Sequence, residues 1–112
     1  MHELSLAENM LAIVEQSVRR GGYTRATAIR LEIGRLSCVM PAALRFCFES
    51  VTRGSLAEGA RLEIEEIAGA GRCGRCDKTM AIEEPWGVCP DCGAPLEVTS
   101  GAEMRVKELE VA

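Results

Sequence analysis

Hydrophobic positions recur at helical spacing near the start of the chain. Between positions 4 and 20 they follow one another at steps of three and four, which predicts an amphipathic helix. The predicted buried face is wide and comprises Leu4, Leu6, Ala7, Met10, Leu11, Ile13, Val14 and Val18. Ser5 and Glu8 have the spacing of a capping box, and Gly21-Gly22 is suited to end the helix. The first element is therefore expected to pack on a core through one broad face.

An alternating pattern follows this helix. From Thr27 to Ile33 apolar residues alternate with Arg30 and Glu32, which predicts a half-buried strand that stops at Gly34. A second helix is predicted from Pro41, which suits a first helical position, to position 53. Its predicted buried face comprises Leu44, Cys47, Phe48 and Val51.

Two later stretches have strand character. Leu62 and Ile64 alternate with acidic residues, and apolar residues recur through the segment 103–111. Because the apolar residues of that segment change phase after position 106, a β-bulge is predicted near Lys107 or Glu108. The order of elements predicts an α+β fold, in which a small three-stranded sheet is covered on one face by two helices.

Residues 69–101 are rich in glycine, proline and cysteine. They contain two Cys-x-x-Cys steps that are twelve residues apart. Two residues between thiolates let a tight turn direct both sulfur atoms at one tetrahedral metal ion, so two such turns predict a four-sulfur zinc site. Asp77 and Gly93 each follow the second cysteine of a pair and tolerate the positive φ that such a turn requires. The predicted zinc ligands are Cys73, Cys76, Cys89 and Cys92.

This composition predicts two domains. Residues 1–68 plus 102–112 would form an α/β domain, and residues 69–101 a zinc-ribbon-like lobe inserted into it. The insert has few apolar residues for a core, so bound zinc would supply its order. Redox-active dithiols or a disulfide framework are the alternatives for these cysteines. The start of the chain lacks the basic region and apolar core of a signal peptide, which predicts a cytoplasmic protein with reduced thiols.

The charge balance excludes some functions. The net charge is −4, and a zinc ion held by four thiolates would change it by −2, to −6. Such an acidic chain lacks the electrostatic footprint that is expected of a general nucleic-acid binder. No apolar run approaches the length of about 18 residues that a membrane span requires. No catalytic triad, phosphate-binding glycine loop or pair of catalytic carboxylates stands out, so the chain is not expected to be an enzyme.

The first residues offer a second kind of metal site. With Met1 retained, the chain presents its amine, the His2 amide and imidazole nitrogens, and the Glu3 amide nitrogen. Four nitrogens in a near-planar array suit nickel(II) or copper(II), whereas zinc does not need that geometry and prefers the thiolates. A solvated, frayed terminus is the alternative for a histidine at this position.

Five segments together resemble the HypA/HybF family of hydrogenase nickel-incorporation proteins. They are Met1-His2-Glu3-Leu4-Ser5, Leu31-Glu32-Ile33-Gly34-Arg35-Leu36-Ser37, Ala43-Leu44-Arg45-Phe46-Cys47-Phe48-Glu49, the two cysteine pairs, and Glu103-Met104-Arg105-Val106. The resemblance implies a nickel metallochaperone for maturation of [NiFe]-hydrogenase, with nickel at Met1, His2 and Glu3 and structural zinc at the four cysteines. It also implies a nickel-handling GTPase partner and delivery to the hydrogenase large-subunit precursor. We expect a monomer or a weak homodimer.

Some residues depart from this family pattern or lie outside both predicted metal sites. Many family members carry an acidic residue in the loop before the second helix, whereas Met40-Pro41-Ala42 contains none. Cys47 is predicted to be a small buried hydrophobic residue. Cys38 is predicted to lie in a loop that approaches the N-terminus and to be a merely buried free cysteine, with a nickel or regulatory role as the alternative. Trp86 is predicted to cover the zinc lobe, with a contact to a partner protein as the alternative. The competing functions are a zinc-ribbon interaction adaptor and a thiol redox enzyme.

Overall fold

The structure, a computed structural model, describes residues 3–112, which form two α-helices, one 3-10 helix and six β-strands. The elements are α1 (Glu3–Arg20), β1 (Ala26–Gly34), the 3-10 helix (Arg35–Ser37), α2 (Pro41–Val51), β2 (Arg61–Ile67), β3 (Ala70–Cys73), β4 (Lys78–Ala81), β5 (Glu97–Ser100) and β6 (Met104–Val111). Neither helix within residues 3–112 combines the length and the apolar composition that crossing a membrane would require.

The first sheet has the strand order β2-β1-β6. β1 is parallel to β2 and antiparallel to β6, so α2 lies in the crossover between two parallel strands. Val106 pairs with Leu31 and Glu108 pairs with Arg30, which leaves Lys107 as the extra residue of a bulge. This confirms the bulge that the phase change predicted. The α+β class and the sheet covered by two helices are also confirmed.

One core joins both helices to this sheet. It comprises Leu6, Ala7, Met10, Val14, Val18, Ala26, Ile29, Leu31, Ile33, Val39, Leu44, Phe48 and Ala57. The buried face of α1 is narrower than predicted, because Leu4 and Ile13 are about half exposed. The capping-box prediction is wrong, since Glu3 already belongs to α1 and Ser5 therefore lies within its first turn. α2 begins at Pro41 as predicted and ends at Val51, two residues earlier than predicted.

Ion pairs cover the face of the first sheet that the helices leave open. Glu32 on the central strand is only 7% exposed, although the alternating pattern placed it on the solvent side. Its carboxylate accepts a hydrogen bond of 2.5 Å from Arg105 Nε and lies 3.5 Å from Lys107 Nζ, and both residues are on β6. The hydrogen bond from Arg105 is the main cause that lowers the pKa of Glu32 below its ordinary value. A buried carboxylate is thus kept ionised by two basic neighbours.

Replacement of Glu32 by glutamine is expected to make unfolding less sensitive to acid. Because the folded pKa is lowered, the stabilisation by ionised Glu32 is complete above its ordinary value of 4.5 and is lost as the pH falls through the folded pKa. The difference in free energy of unfolding between the parent and Glu32→Gln should therefore be largest near neutral pH and shrink below about pH 4. Denaturant unfolding of both proteins, from neutral pH to below about pH 4, measures this difference in free energy. Taking the difference cancels the effects of acid that are common to both proteins.

The control for this measurement is Glu8→Gln, because Glu8 is exposed and forms no ion pair within residues 3–112. That variant should follow the parent at every pH. A parent-minus-Glu32→Gln difference that is constant with pH would contradict the ionised pair.

Glycines allow a close backbone approach where residues 69–101 leave the first sheet and return to it. A Cβ atom on Gly34 would lie 1.8 Å from the Gly101 carbonyl oxygen, and Gly101 itself has a φ of +101°. Leu36 packs at this point, and its N–H donates to Gly101 O at 2.8 Å. Gly69 is adjacent to Gly101, since a Cβ atom on Gly101 would lie 2.6 Å from the Cα atom of Gly69. The segment that leaves the first sheet and the segment that returns to it therefore pack closely against the 3-10 helix. This junction leaves no room for side chains at Gly34, Gly69 and Gly101.

Residues 69–101, which we call the cysteine segment, contain a second sheet with the strand order β4-β3-β5. Both pairings are antiparallel. The sequence pattern did not reveal these four-residue strands, because they are short and carry few alternating apolar residues. The second sheet is therefore an addition to the predicted insert.

Candidate metal centre

Two tight turns position the four cysteines of the cysteine segment. The first turn joins β3 to β4, and the second lies between β4 and β5 beside a bridge of Val88 with Pro95. In each turn the residue after the second cysteine donates its N–H to the carbonyl of the first cysteine: Asp77 to Cys73 at 2.9 Å, and Gly93 to Cys89 at 2.8 Å. Asp77 has a φ of 52° and Gly93 a φ of 74°, which confirms the positive φ predicted at both positions.

The four sulfur atoms form one cluster. All lie within 4.8 Å of one another, with 3.5 Å between the Sγ atoms of Cys73 and Cys92 and 3.9 Å between those of Cys76 and Cys89. Zinc–sulfur bonds of about 2.3 Å in a tetrahedron require sulfur atoms about 3.8 Å apart, whereas a disulfide requires about 2.05 Å. The spacing suits a tetrahedral metal ion and not a disulfide. The structure thus brings together all four cysteines that the sequence singled out.

The ionisation of the thiols also fits a cation site. The N–H of Cys76, 3.4 Å from the Cys73 sulfur, holds the pKa of Cys73 below its usual range. Burial opposes ionisation of Cys89, but the Cys92 amide and the other sulfurs outweigh it, so the pKa of Cys89 is lowered. The neighbouring Cys92 raises the pKa of Cys76 to about 12. The Ala94 amide favours ionised Cys92, yet the Cys73 sulfur and burial outweigh it and raise the pKa of Cys92. The pKa is therefore lowered for two of the thiols and raised for the other two, and a bound cation would favour the ionised form of all four.

Ion pairs that the sequence did not predict brace the two turns. Arg72 pairs with Asp77 within the first turn. Lys78, at the start of β4, pairs with Asp91, which lies between the two cysteines of the second turn. The second pair joins the two halves of the cluster directly. Only the approach of β4 to the second turn could reveal it, because the partners are distant in sequence.

The predicted nickel residues lie at the start of the chain, far in sequence from the cysteines. Met1 and His2 are outside the described residues. Glu3 begins α1, and its Oε2 accepts a hydrogen bond of 3.3 Å from the N–H of Met40. The first N–H groups of a helix have no acceptor within the helix, so the N–H of Glu3 makes no hydrogen bond within α1. Glu3 therefore connects the start of the chain to the loop that precedes α2.

Three other residues singled out in the sequence have clear surroundings. Cys38 lies in the loop that reaches Glu3 through Met40, as predicted. It is exposed and has a φ of 61°, so the prediction of a buried thiol is wrong, because the loop turns away from the core at this residue. Cys47 is partly buried against the core. Trp86 is 71% exposed, so the prediction that it covers the zinc lobe is wrong. Cys73 and Cys89 are at most 1% exposed although most of the indole is in solvent, so burial of these two thiols does not require Trp86.

Comparison with known proteins gives a consistent match over the chain. A sequence model of the family described as "Hydrogenase/urease nickel incorporation, metallochaperone, hypA" matches residues 1–111. A protein of Dechloromonas aromatica named hydrogenase maturation factor HypA is 52% identical over 112 residues, covering 99% of both chains. A protein of the same name from Methylocella silvestris is 49% identical, again over 99% of both chains.

The fold is also similar to that of a solved structure. The solution structure of the Ni metallochaperone HypA from Helicobacter pylori superposes with a TM-score of 0.75 at 25% sequence identity. The match covers 99% of the present chain and 97% of the other. The similarity therefore includes the helix-covered sheet and the cysteine segment alike.

Proposed function

The chain belongs to the HypA family of nickel-incorporation metallochaperones, which are maturation factors and not enzymes, and from this membership we propose that it binds nickel(II) and delivers it during maturation of [NiFe]-hydrogenase. The observation that carries the proposal is the match of the family over residues 1–111. That match includes both the Met1-His2-Glu3 start and the four clustered cysteines.

The proposed cargo site is at the N-terminus. Nickel(II) would be held by the amine of Met1, the amide and imidazole nitrogens of His2, and the amide nitrogen of Glu3. Nitrogen donors in a near-planar array suit this ion. A site at the end of a chain can release its ligands one after another to an acceptor, which is what delivery requires. Neutral imidazole is needed for binding, so affinity should fall as the pH drops through about 6.5.

The proposed role of Cys73, Cys76, Cys89 and Cys92 is to hold a structural zinc ion. The spacing of their sulfur atoms and the thiolate donor set support zinc. We propose that residues 69–101 are a zinc-binding domain inserted into an α/β domain of residues 1–68 plus 102–112. Bound zinc would link the two turns, and the α/β domain would present the N-terminus.

The proposed partners follow from the family. Its hydrogenase maturation factors act within the hydrogenase maturation machinery. We propose that this chain works with a nickel-handling GTPase in the cytoplasm and delivers the ion to the precursor of the hydrogenase large subunit. We also propose that the protein is a monomer or a weak homodimer.

Replacement of His2 by alanine is expected to weaken nickel binding by tenfold or more, the equivalent of about 1.4 kcal/mol, while leaving zinc content unchanged. The physical reason is that the imidazole nitrogen is lost but the cysteine cluster is not. Calorimetric titration of untagged, zinc-loaded protein with nickel(II), together with metal analysis, measures both quantities. An uncleaved N-terminal tag, which removes the amine, should have the same effect.

The matched control is Cys38→Ser, because Cys38 is exposed in the loop that contacts Glu3 but is not a ligand of the proposed site. The affinity of this variant for nickel should equal that of the parent. If His2→Ala bound nickel as tightly as the parent, the terminal site would be wrong and the zinc-ribbon adaptor would become the better assignment.

A further inference from the structure

The cysteine segment carries an open apolar groove. The groove has a volume of about 450 Å³ and lies between β4, the loop that follows it, and Leu96. Its apolar lining includes Met80, Ile82, Val88 and Leu96. None of these side chains is fully buried, and Val88 is 59% exposed. A segment of about thirty residues therefore leaves a substantial part of its few apolar side chains in solvent.

Trp86 is adjacent in sequence to residues that line this groove. Glu84, two residues before it, and Gly87, directly after it, both line the groove, and Trp86 is 71% exposed. It is the only tryptophan of the chain. Exposed tryptophan beside an apolar depression is typical of the anchor residues that contribute most to protein interfaces. Neither the cysteine cluster nor the core of the first sheet uses this side chain.

The charges of the groove have one sign. Its only charged lining residues are Glu83 and Glu84, and neither forms an ion pair within residues 3–112. By contrast, the acidic residues Asp77 and Asp91 of the same segment are paired with basic neighbours. Two unpaired carboxylates next to apolar surface favour a cationic occupant and disfavour nucleic acid or an anionic membrane. A second copy of the chain is also disfavoured, since each copy has a net charge of −4.

We propose that this groove is a docking site for a segment of a partner protein in which apolar side chains are flanked by lysine or arginine. The apolar side chains of that segment would contact Ile82, Val88 and Leu96, and Trp86 would pack on them. The basic side chains would pair with Glu83 and Glu84. The groove contains none of the residues of the proposed nickel site, so one molecule can hold its cargo and contact a partner at the same time.

The test uses zinc-loaded protein and two synthetic peptides with the same apolar centre of leucine and phenylalanine. One peptide carries lysines on both sides and the other carries glutamates. The lysine peptide is expected to bind about fivefold or more tightly than the glutamate peptide at low salt, and to shift the indole and amide resonances of residues 82–88. Trp86→Ala should weaken its binding about tenfold. Fluorescence anisotropy and nuclear magnetic resonance measure these effects.

A charge reversal makes the test specific. The double variant Glu83→Lys with Glu84→Lys should prefer the glutamate peptide. The matched control, Glu66→Lys with Glu97→Lys, changes the net charge equally at exposed carboxylates outside the groove and should keep the parent's preference. Phe46→Ala, which removes an aromatic residue that is 74% exposed on α2, controls for Trp86→Ala.

Two results would overturn the proposal. If the parent protein bound both peptides equally, or bound neither of them, the result would contradict the proposal that the groove binds an apolar segment flanked by basic side chains. Self-association of the parent that Trp86→Ala abolishes would assign the groove to a second copy. Nickel binding is measured on the same samples, so failure of this proposal is distinguishable from failure of the proposed nickel function.

Discussion

Replacement of Cys73 by serine is expected to abolish stoichiometric zinc binding and to unfold the cysteine segment, while α1, α2 and the first sheet stay folded. Within residues 69–101 the only buried hydrophobic side chains are Cys73 and Cys89, so the segment has no apolar core of its own. Structural zinc in small domains contributes about 10–16 kcal/mol of binding free energy, which is folding free energy for such a segment. Loss of one ligand therefore removes the main source of its order.

Metal analysis and two-dimensional nuclear magnetic resonance of the variant test this expectation. Resonances of residues 69–101 should collapse to unfolded positions, whereas those of the helices should stay dispersed. The control is Cys38→Ser, because Cys38 is an exposed cysteine outside the cluster, and it should retain zinc and the complete spectrum. A Cys73→Ser protein that melts as a whole would contradict the proposed division into two domains. One that keeps the second sheet would contradict the structural role of the metal.

Replacement of Gly34 by alanine is expected to lower the free energy of unfolding by more than about 3 kcal/mol, beyond ordinary overpacking. The added Cβ would lie 1.8 Å from the Gly101 carbonyl oxygen and 2.0 Å from its carbon, so backbone must move. Movement there would break the hydrogen bonds from Gly34 N to Glu103 O and from Leu36 N to Gly101 O, which are 2.7 and 2.8 Å long. The melting temperature should fall by about 10 °C or more.

Gly74→Ala is the matched control for this substitution. A Cβ on Gly74 would meet no atom within 4 Å, and its φ is not in the left-handed region, so the change should stay within about 1 kcal/mol. Denaturant and thermal unfolding of both variants, each loaded with zinc, provide the comparison. Equal free energies of unfolding for Gly34→Ala and Gly74→Ala would show that the close backbone approach at the junction does not contribute to stability.

Features with a local physical cause were predictable from the sequence. Two residues between cysteines dictate a tight turn, so Asp77 and Gly93 have the positive φ that the pattern implied. Pro41 begins α2 because a first helical position needs no N–H donor. The phase change in the last strand predicted the bulge at Lys107, because side chains of a strand must alternate between its two faces.

Features that depend on distant residues were not predictable in this way. The buried face of α1 is set by where α2 and the sheet contact it, which leaves Leu4 and Ile13 half exposed. Glu32 is buried only because β6 brings basic side chains over the open face of the sheet. Trp86 is 71% exposed, because whether an aromatic side chain packs on the cysteine segment depends on how its loop folds against the second sheet.

By itself, the sequence determined the class of the fold, the grouping of the four cysteines and the resemblance to a nickel-incorporation family, because short-range spacing and periodicity encode each of them. Only the tertiary structure decided that Gly34 and Gly101 come into contact, that Lys78 braces the second cysteine turn, and that an acidic apolar groove is left open. The physical reason is that these contacts join residues far apart in the chain, and no local pattern specifies which distant surfaces meet.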